Sequence, residues 1–118
     1  MLSCSLPSHA IDNAKERVSQ WNGWSEKRIR SEIRKRLPSS RIIREDDEAY
    51  SRLEGGNIPC EKEMVCFMRD DVAIYVLRRN VFEKKFRVST VYAASYCSDK
   101  IKLEMYLKHK GQTIDIIV

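Results

Sequence analysis

The sequence predicts an α+β domain in which two N-terminal helices are followed by an antiparallel β-meander ending in a hairpin. Two observations carry this. Apolar residues recur at helical spacing up to about residue 37 and at strand spacing from about residue 64. A chain of 118 residues is also too short to bury two separate cores, so residues 1–118 are read as a single domain, with residues 1–7 as a loose N-terminal arm. Composition agrees with a folded chain: 42% of residues are hydrophobic and 33% are charged, and the apolar ones are grouped in periodic runs.

The first helix covers residues 8–21, where Ile11, Ala14, Val18 and Trp21 fall on one face and Ser8 stands where a first-turn cap is needed. Asn22 and Gly23 break it. Ser25 caps the second helix, whose stripe is Ile29, Ile33 and Leu37 and whose stop is Pro38. Trp24 and Ile29 are spaced as a hydrophobic staple across that cap. Residues 41–44 read as a short strand, 45–48 as an acidic loop, and Gly55, Gly56, Asn57 and Pro59 as a further loop. Residues 64–68 and 72–77 form a hairpin about a polar turn at 69–71, and the continuous apolar run marks its second strand as central and buried on both faces. After a turn near Asn80, alternation places Phe86, Val88, Thr90 and Tyr92 on one strand face and Arg87, Ser89, Val91 and Ala93 on the other. The terminal hairpin is expected from the alternation of Ile101, Leu103, Met105 and Leu107, a turn at 110–112, and a return through Ile114, Ile116 and Val118.

Charge and cysteine content narrow the function classes. The 22 Lys and Arg exceed 17 Asp and Glu by five, an excess that attracts RNA, other polyanions or acidic proteins and equally suits a solvated surface. No apolar run is long enough for a membrane span, and Met1 to Pro7 lacks the features of a secretory signal, so a cytoplasmic protein without a membrane partner is expected. Cys4, Cys60, Cys66 and Cys97 are therefore read as reduced thiols. They form no CxxC pair, and with His9 and His109 as the two histidines no metal site and no cofactor is expected.

Chemistry concentrates in a few side chains. His9 falls at the first turn of the first helix, where a neutral imidazole is a usable general base or a plain surface residue. Arg17, or Lys15, supplies a cation on the same helix. At about 100° per residue Arg17 lies roughly 80° around from His9, so the two share a flank. Thr90 and Tyr92, two residues apart on a strand, can present two hydroxyls to one phosphate or close the rim of a core. The second helix carries Lys27, Arg28, Arg30 and Arg34, either a nucleic-acid-binding face or a solvated one.

The run Ser8-His9-Ala10, continuing as Ala14-Lys15-Glu16-Arg17, together with Val88-Ser89-Thr90-Val91-Tyr92, resembles the small bacterial toxin ribonucleases of the barnase, EndoU, colicin and RelE type, including ribonuclease A-like contact-dependent inhibition toxin domains. The resemblance spans roughly residues 8–96. It implies a metal-independent endoribonuclease in which His9 is base or acid, Arg17 stabilises phosphate, and Thr90 and Tyr92 contact substrate, with an antitoxin or immunity protein as partner. Two other classes stand beside it: a non-enzymatic basic module of phage or mobile-element type, for which no platform of clustered strand aromatics is read, and a homodimer joined through an edge strand.

Overall fold

The computed structural model describes residues 2–44, 48–97 and 116–117. Strand β1 (Leu2–Ser5) leads into helix α1 (Ser8–Arg17), a 3-10 turn at Ser19–Trp21, and helix α2 (Glu26–Arg36). Strand β2 (Arg41–Ile42), helix α3 (Glu48–Gly56), and strands β3 (Glu63–Arg69), β4 (Ala73–Asn80) and β5 (Phe86–Ala93) follow. A 3-10 turn at Ala94–Cys97 and strand β6 (Ile116–Ile117) complete the described chain.

The sheet order is β2-β3-β4-β5-β1-β6. Strands β2 to β5 make the expected antiparallel meander, but β1 lies parallel to both β5 and β6, so the sheet is mixed. Residues 2–5 are thus a strand between two others, where a loose arm was expected. Four residues are too few to show a period, and their partners are far along the chain. Ile116 and Ile117 are strand residues, as expected, but their partner is β1. The other half of the expected terminal hairpin, residues 101–107, lies outside the described residues.

Helix α1 ends at Arg17, earlier than the apolar pattern implied, and Val18 and Trp21 stay buried through the 3-10 turn that continues it. Ser8 does not cap it: Pro7 holds the cap position, and no side chain bonds the first turn. The second cap is as expected, with Ser25 Oγ accepting the Arg28 amide at 3.2 Å. Gly23 between the helices has φ +81°, the left-handed conformation that glycine adopts without steric cost. Helix α3 was not expected. Its acidic start and Gly-Gly end resemble a loop in composition, yet Leu53 on it is fully buried.

Successive β4 residues alternate between two cores. Tyr75 and Leu77 join Met68 of β3 and Ala10, Ile11, Ala14, Ile29, Ile33 and Leu37 under α1 and α2, while Ile74 and Val76 join Phe67, Ile43 and Leu53 under α3. The sheet is therefore covered on both faces, and β4 is the central strand that its apolar run predicts. Among the described residues no helix is long and apolar enough to cross a membrane.

One irregularity sets the geometry of β5. Val76 pairs with Thr90 while the next residue, Leu77, pairs with Val88, which leaves Ser89 as an extra residue in a β-bulge. Its hydroxyl donates to the Val76 carbonyl at 3.2 Å. Because a bulge shifts the pleat by one, Val88 and Val91 both point into the core under α1 and α2, and Tyr92 packs against the opposite core. Thr90 and Tyr92 still share a face with each other. They do not share it with Phe86 and Val88, as strict alternation implied.

Candidate functional site: the seam between α1 and β5

Among the described residues strand β1 pairs with β5 at two positions, Cys4 with Phe86 and Ser5 with Arg87. The chain then leaves the sheet and turns into α1, which runs beside the part of β5 that β1 has vacated. Backbone groups there need partners, and side chains of α1 supply them. His9 Nε2 lies 3.1 Å from the Ser89 carbonyl oxygen, and Arg17 Nη1 donates to the Val91 carbonyl at 3.2 Å. Between them Asn13 Nδ2 donates to Thr90 Oγ1 at 3.1 Å, and Arg17 Nη1 donates to the same oxygen at 2.7 Å. His9, Asn13 and Arg17 stand four residues apart, about 40° of drift per step, and so form one stripe facing β5.

Donor and acceptor accounting gives this seam a direction. A carbonyl oxygen only accepts, so His9 Nε2 carries a proton, and in the neutral ring Nδ1 is the nitrogen with the lone pair. Thr90 Oγ1 accepts twice, from Asn13 and Arg17, which occupies both its lone pairs and leaves its own O–H as a donor. The hydrogens of Arg17 Nη1 go to Thr90 and Val91, so among the described residues the donors on Nη2 and Nε are left for a ligand. A hydroxyl proton beside a guanidinium suits an anion with several oxygens.

The four residues expected to act together are brought to one seam in different ways. Arg17 and Thr90 bond directly, and His9 reaches the residue before Thr90. Tyr92 meets Arg17 through its ring, the guanidinium carbon lying 4.8 Å from the ring centroid. Its hydroxyl accepts from Asn57 Nδ2 at 3.3 Å beyond the C-terminus of α3, away from Thr90. Asn57 is itself fixed by a 2.8 Å bond to the Leu53 carbonyl.

Tyr96, from the 3-10 turn after β5, stacks on Tyr92 with centroids 4.4 Å apart and planes 21° apart, and Arg52 of α3 lies 4.7 Å from the Tyr96 centroid. Arg17, Tyr92, Ala93, Ser95 and Tyr96 line an open surface recess of about 410 Å³. An aromatic cluster is thus present where none was read. It combines a strand residue with one past the strand end, which period-two inspection of β5 does not join. Asn13 was also missed, although its position four residues from both His9 and Arg17 was visible.

The basic residues of α2 divide. Arg30 is engaged with the Leu6 carbonyl and with Glu26, which ties α2 to the β1–α1 link, and Arg28 lies over the Trp24 ring at 3.7 Å. Lys27 and Arg34 are exposed on the outer side. Away from the seam, burial, together with the nearby Cys66, pushes the Cys4 thiol up to about 12, and burial pushes Cys66 up to about 11, so both are protonated at neutral pH.

No family model, curated protein or solved structure matches this chain.

Proposed function

We propose that the α1–β5 seam binds and cleaves an RNA phosphodiester without metal, in the manner of a small toxin-type ribonuclease. The observation that supports this reading best is Thr90, whose two lone pairs are filled by Asn13 and Arg17 so that its O–H is left to donate, beside the Arg17 guanidinium and one residue from the His9 contact.

In this reading His9 Nδ1 takes the proton of a ribose 2′-hydroxyl. The 2′ oxygen bonds to phosphorus as the bond to the 5′ oxygen breaks, and the leaving 5′ oxygen takes a proton from water. Tyr92 is not assigned as that acid, because its hydroxyl lies at Asn57, beyond the C-terminus of α3, and only its ring meets Arg17. Thr90 and Arg17 stabilise the charge that builds on the non-bridging oxygens, a role whose value is greatest in the transition state.

The products would be a 2′,3′-cyclic phosphate and a 5′-hydroxyl. Mass spectrometry of RNA cut in EDTA tests this. Cyclic phosphate ends, and no cutting at a 2′-deoxy linkage, support the mechanism; cutting at a 2′-deoxy linkage overturns it. An acidic antitoxin or immunity protein covering the seam is the partner class that accompanies this reading.

A second reading is favoured by a separate observation. Lys27 and Arg34 are exposed on the outer side of α2, free to contact polyanion phosphates in a protein that binds without turnover. Salt-sensitive RNA binding with intact RNA recovered would select it.

A further inference from the structure

We infer that the turn between β4 and β5, together with the loop that enters β3 beside it, is a contact surface for an anionic lipid membrane, with Phe82 as the side chain that enters the bilayer interface. The inference does not rest on the reading of the α1–β5 seam, whose side-chain contacts with β5 begin at Ser89. The expectation of no membrane partner came from the lack of a spanning run, and a protein that lies on a membrane needs none.

Among the described residues, the large hydrophobic side chains left exposed are Ile58, Met64, Val81 and Phe82. They belong to the open end of the β3–β4 hairpin and the segment leading into it. Met64 pairs with Arg79, and the Val81 amide donates to the Lys62 carbonyl at 2.9 Å, so the loop and the turn lie side by side. Residues 81–85 are all exposed, and Phe82 is 80% exposed, which makes the turn a projection with an aromatic ring at its tip. Exposed apolar groups gathered in one place mark an interaction surface.

Charge says what kind of surface it meets. Residues 58–64 and 78–87 hold six Lys and Arg against three Glu. Two of those carboxylates are engaged locally: Glu63 accepts from Arg78 and Arg87, and Glu83 from Arg87 at 3.2 Å and the Asn80 amide at 3.3 Å. Lys84 and Lys85 are exposed and have no carboxylate partner among the described residues, and Lys62 Nζ lies 5.5 Å from the Phe82 ring centroid. Cations thus surround the apolar tip, placed to stay among lipid phosphates while the ring goes below them.

The shape selects the bilayer among polyanionic partners. A stable protein interface takes about 800 Å² from each partner, and one turn presents a small part of that. A second copy of the chain would bring the same positive charge to the contact. Nucleic-acid bases stack on aromatic faces, and the neighbours of Phe82 here, Val81 and Met64, offer none. A membrane interface accepts one aromatic anchor with aliphatic neighbours, and anionic headgroups add attraction for the lysines. The tip is also held before contact: Asn80 Oδ1 accepts the Phe82 amide at 3.0 Å, and the Asn80 carbonyl accepts the Glu83 amide at 2.9 Å.

The test is co-sedimentation of the full chain with vesicles of phosphatidylcholine alone and of phosphatidylcholine mixed equally with phosphatidylglycerol. Wild type should bind the mixed vesicles and not the neutral ones. Phe82→Ala should lower that affinity about tenfold or more, and Lys85→Gln about fivefold. Lys35→Gln, the same loss of charge from an exposed position on α2, should leave it unchanged. Phe82→Trp should bind as wild type does and be quenched by lipid brominated in its acyl chains, whereas Trp21 and Trp24 of wild type should not.

Phe82 is exposed, so these substitutions leave the core intact, which circular dichroism checks. No binding to the mixed vesicles, equal binding to both vesicle types, equal affinity of wild type and Phe82→Ala, or an unquenched Phe82→Trp overturns the inference. Phe82-dependent capture of RNA or of an acidic protein, with vesicles left unbound, assigns the turn to that partner and overturns it as well.

Discussion

Replacing Thr90 with valine removes one hydroxyl and almost no volume, and the structure separates what this does to stability from what it does to chemistry. The hydroxyl accepts from Asn13 at 3.1 Å and from Arg17 at 2.7 Å. Asn13 is half-buried and loses its partner, at a cost of about 1 kcal/mol. Arg17 is exposed, keeps the Val91 carbonyl, and can turn to water, so its loss adds little. The fold should therefore weaken by about 1 to 1.5 kcal/mol, a minor part of the roughly 5 to 15 kcal/mol of a typical domain.

Chemistry should suffer much more. If Thr90 gives its proton to a non-bridging oxygen in the transition state, removing it costs about 10²- to 10³-fold in kcat, as for other single oxyanion donors. The assay pairs urea denaturation with single-turnover cleavage of labelled RNA. Wild-type cleavage by Thr90→Val would refute the donor role. A loss of 3 kcal/mol or more would show that the Asn13–Thr90–Arg17 cluster is chiefly a structural seal on the edge of β5.

Three further outcomes follow from features away from the seam. Ser25→Ala should destabilise by about 1 kcal/mol in denaturant, because the Ser25 side chain caps α2 through the Arg28 amide. Glu63, 10% exposed, is pushed up by burial but is held below the ordinary value of 4.5 by the 2.5 Å bond from Arg78, the Cys60 amide, and the charges of Arg78 and Arg87. Its folded value is the lower one, so its contribution is complete above 4.5 and is lost as pH falls through the folded value. The stability gap between wild type and Glu63→Gln should accordingly be full at neutral pH and close in acid, as denaturation at a series of pH values will show. Alkylation followed by peptide mass spectrometry should label exposed Cys60 in the native protein and spare Cys4 and Cys66, whose burial keeps the thiol form.

Much of the fold was legible because its signals are local. Period-two and period-3.6 patterns located α1, α2, β3, β4 and β5, and Ser25 and Gly23 marked the turn between the helices. What was missed depends on partners distant in sequence. Strand β1 is four residues whose neighbours are residues 86–87 and 116–117, and the described side chains that tie α3 to the core are a buried leucine and a half-buried tyrosine, Leu53 and Tyr50. The bulge at Ser89 is a matter of register between two strands, and no residue type in Val88-Ser89-Thr90 announces it.

The seam was half legible for the same reason. Helical spacing placed His9 and Arg17 on one flank, and strand spacing placed Thr90 and Tyr92 on one face. That the flank meets the face follows from the early end of the β1–β5 pairing, which leaves an open strand edge for α1 to cover. Tyr92 shows the limit of residue-by-residue expectation. Its hydroxyl, the group that made it a candidate, is turned to Asn57, and its ring is the part that Arg17 and Tyr96 use.

The central claim is that the α1–β5 seam cuts RNA without metal, and incubation of wild-type and His9→Ala proteins with labelled RNA in EDTA tests it most directly, both folds being checked by circular dichroism. The account predicts cleavage by wild type and a rate about 10²- to 10⁴-fold lower in the folded His9→Ala variant, the usual contribution of one general base. Intact RNA with wild type, or equal rates for the two proteins, would contradict it.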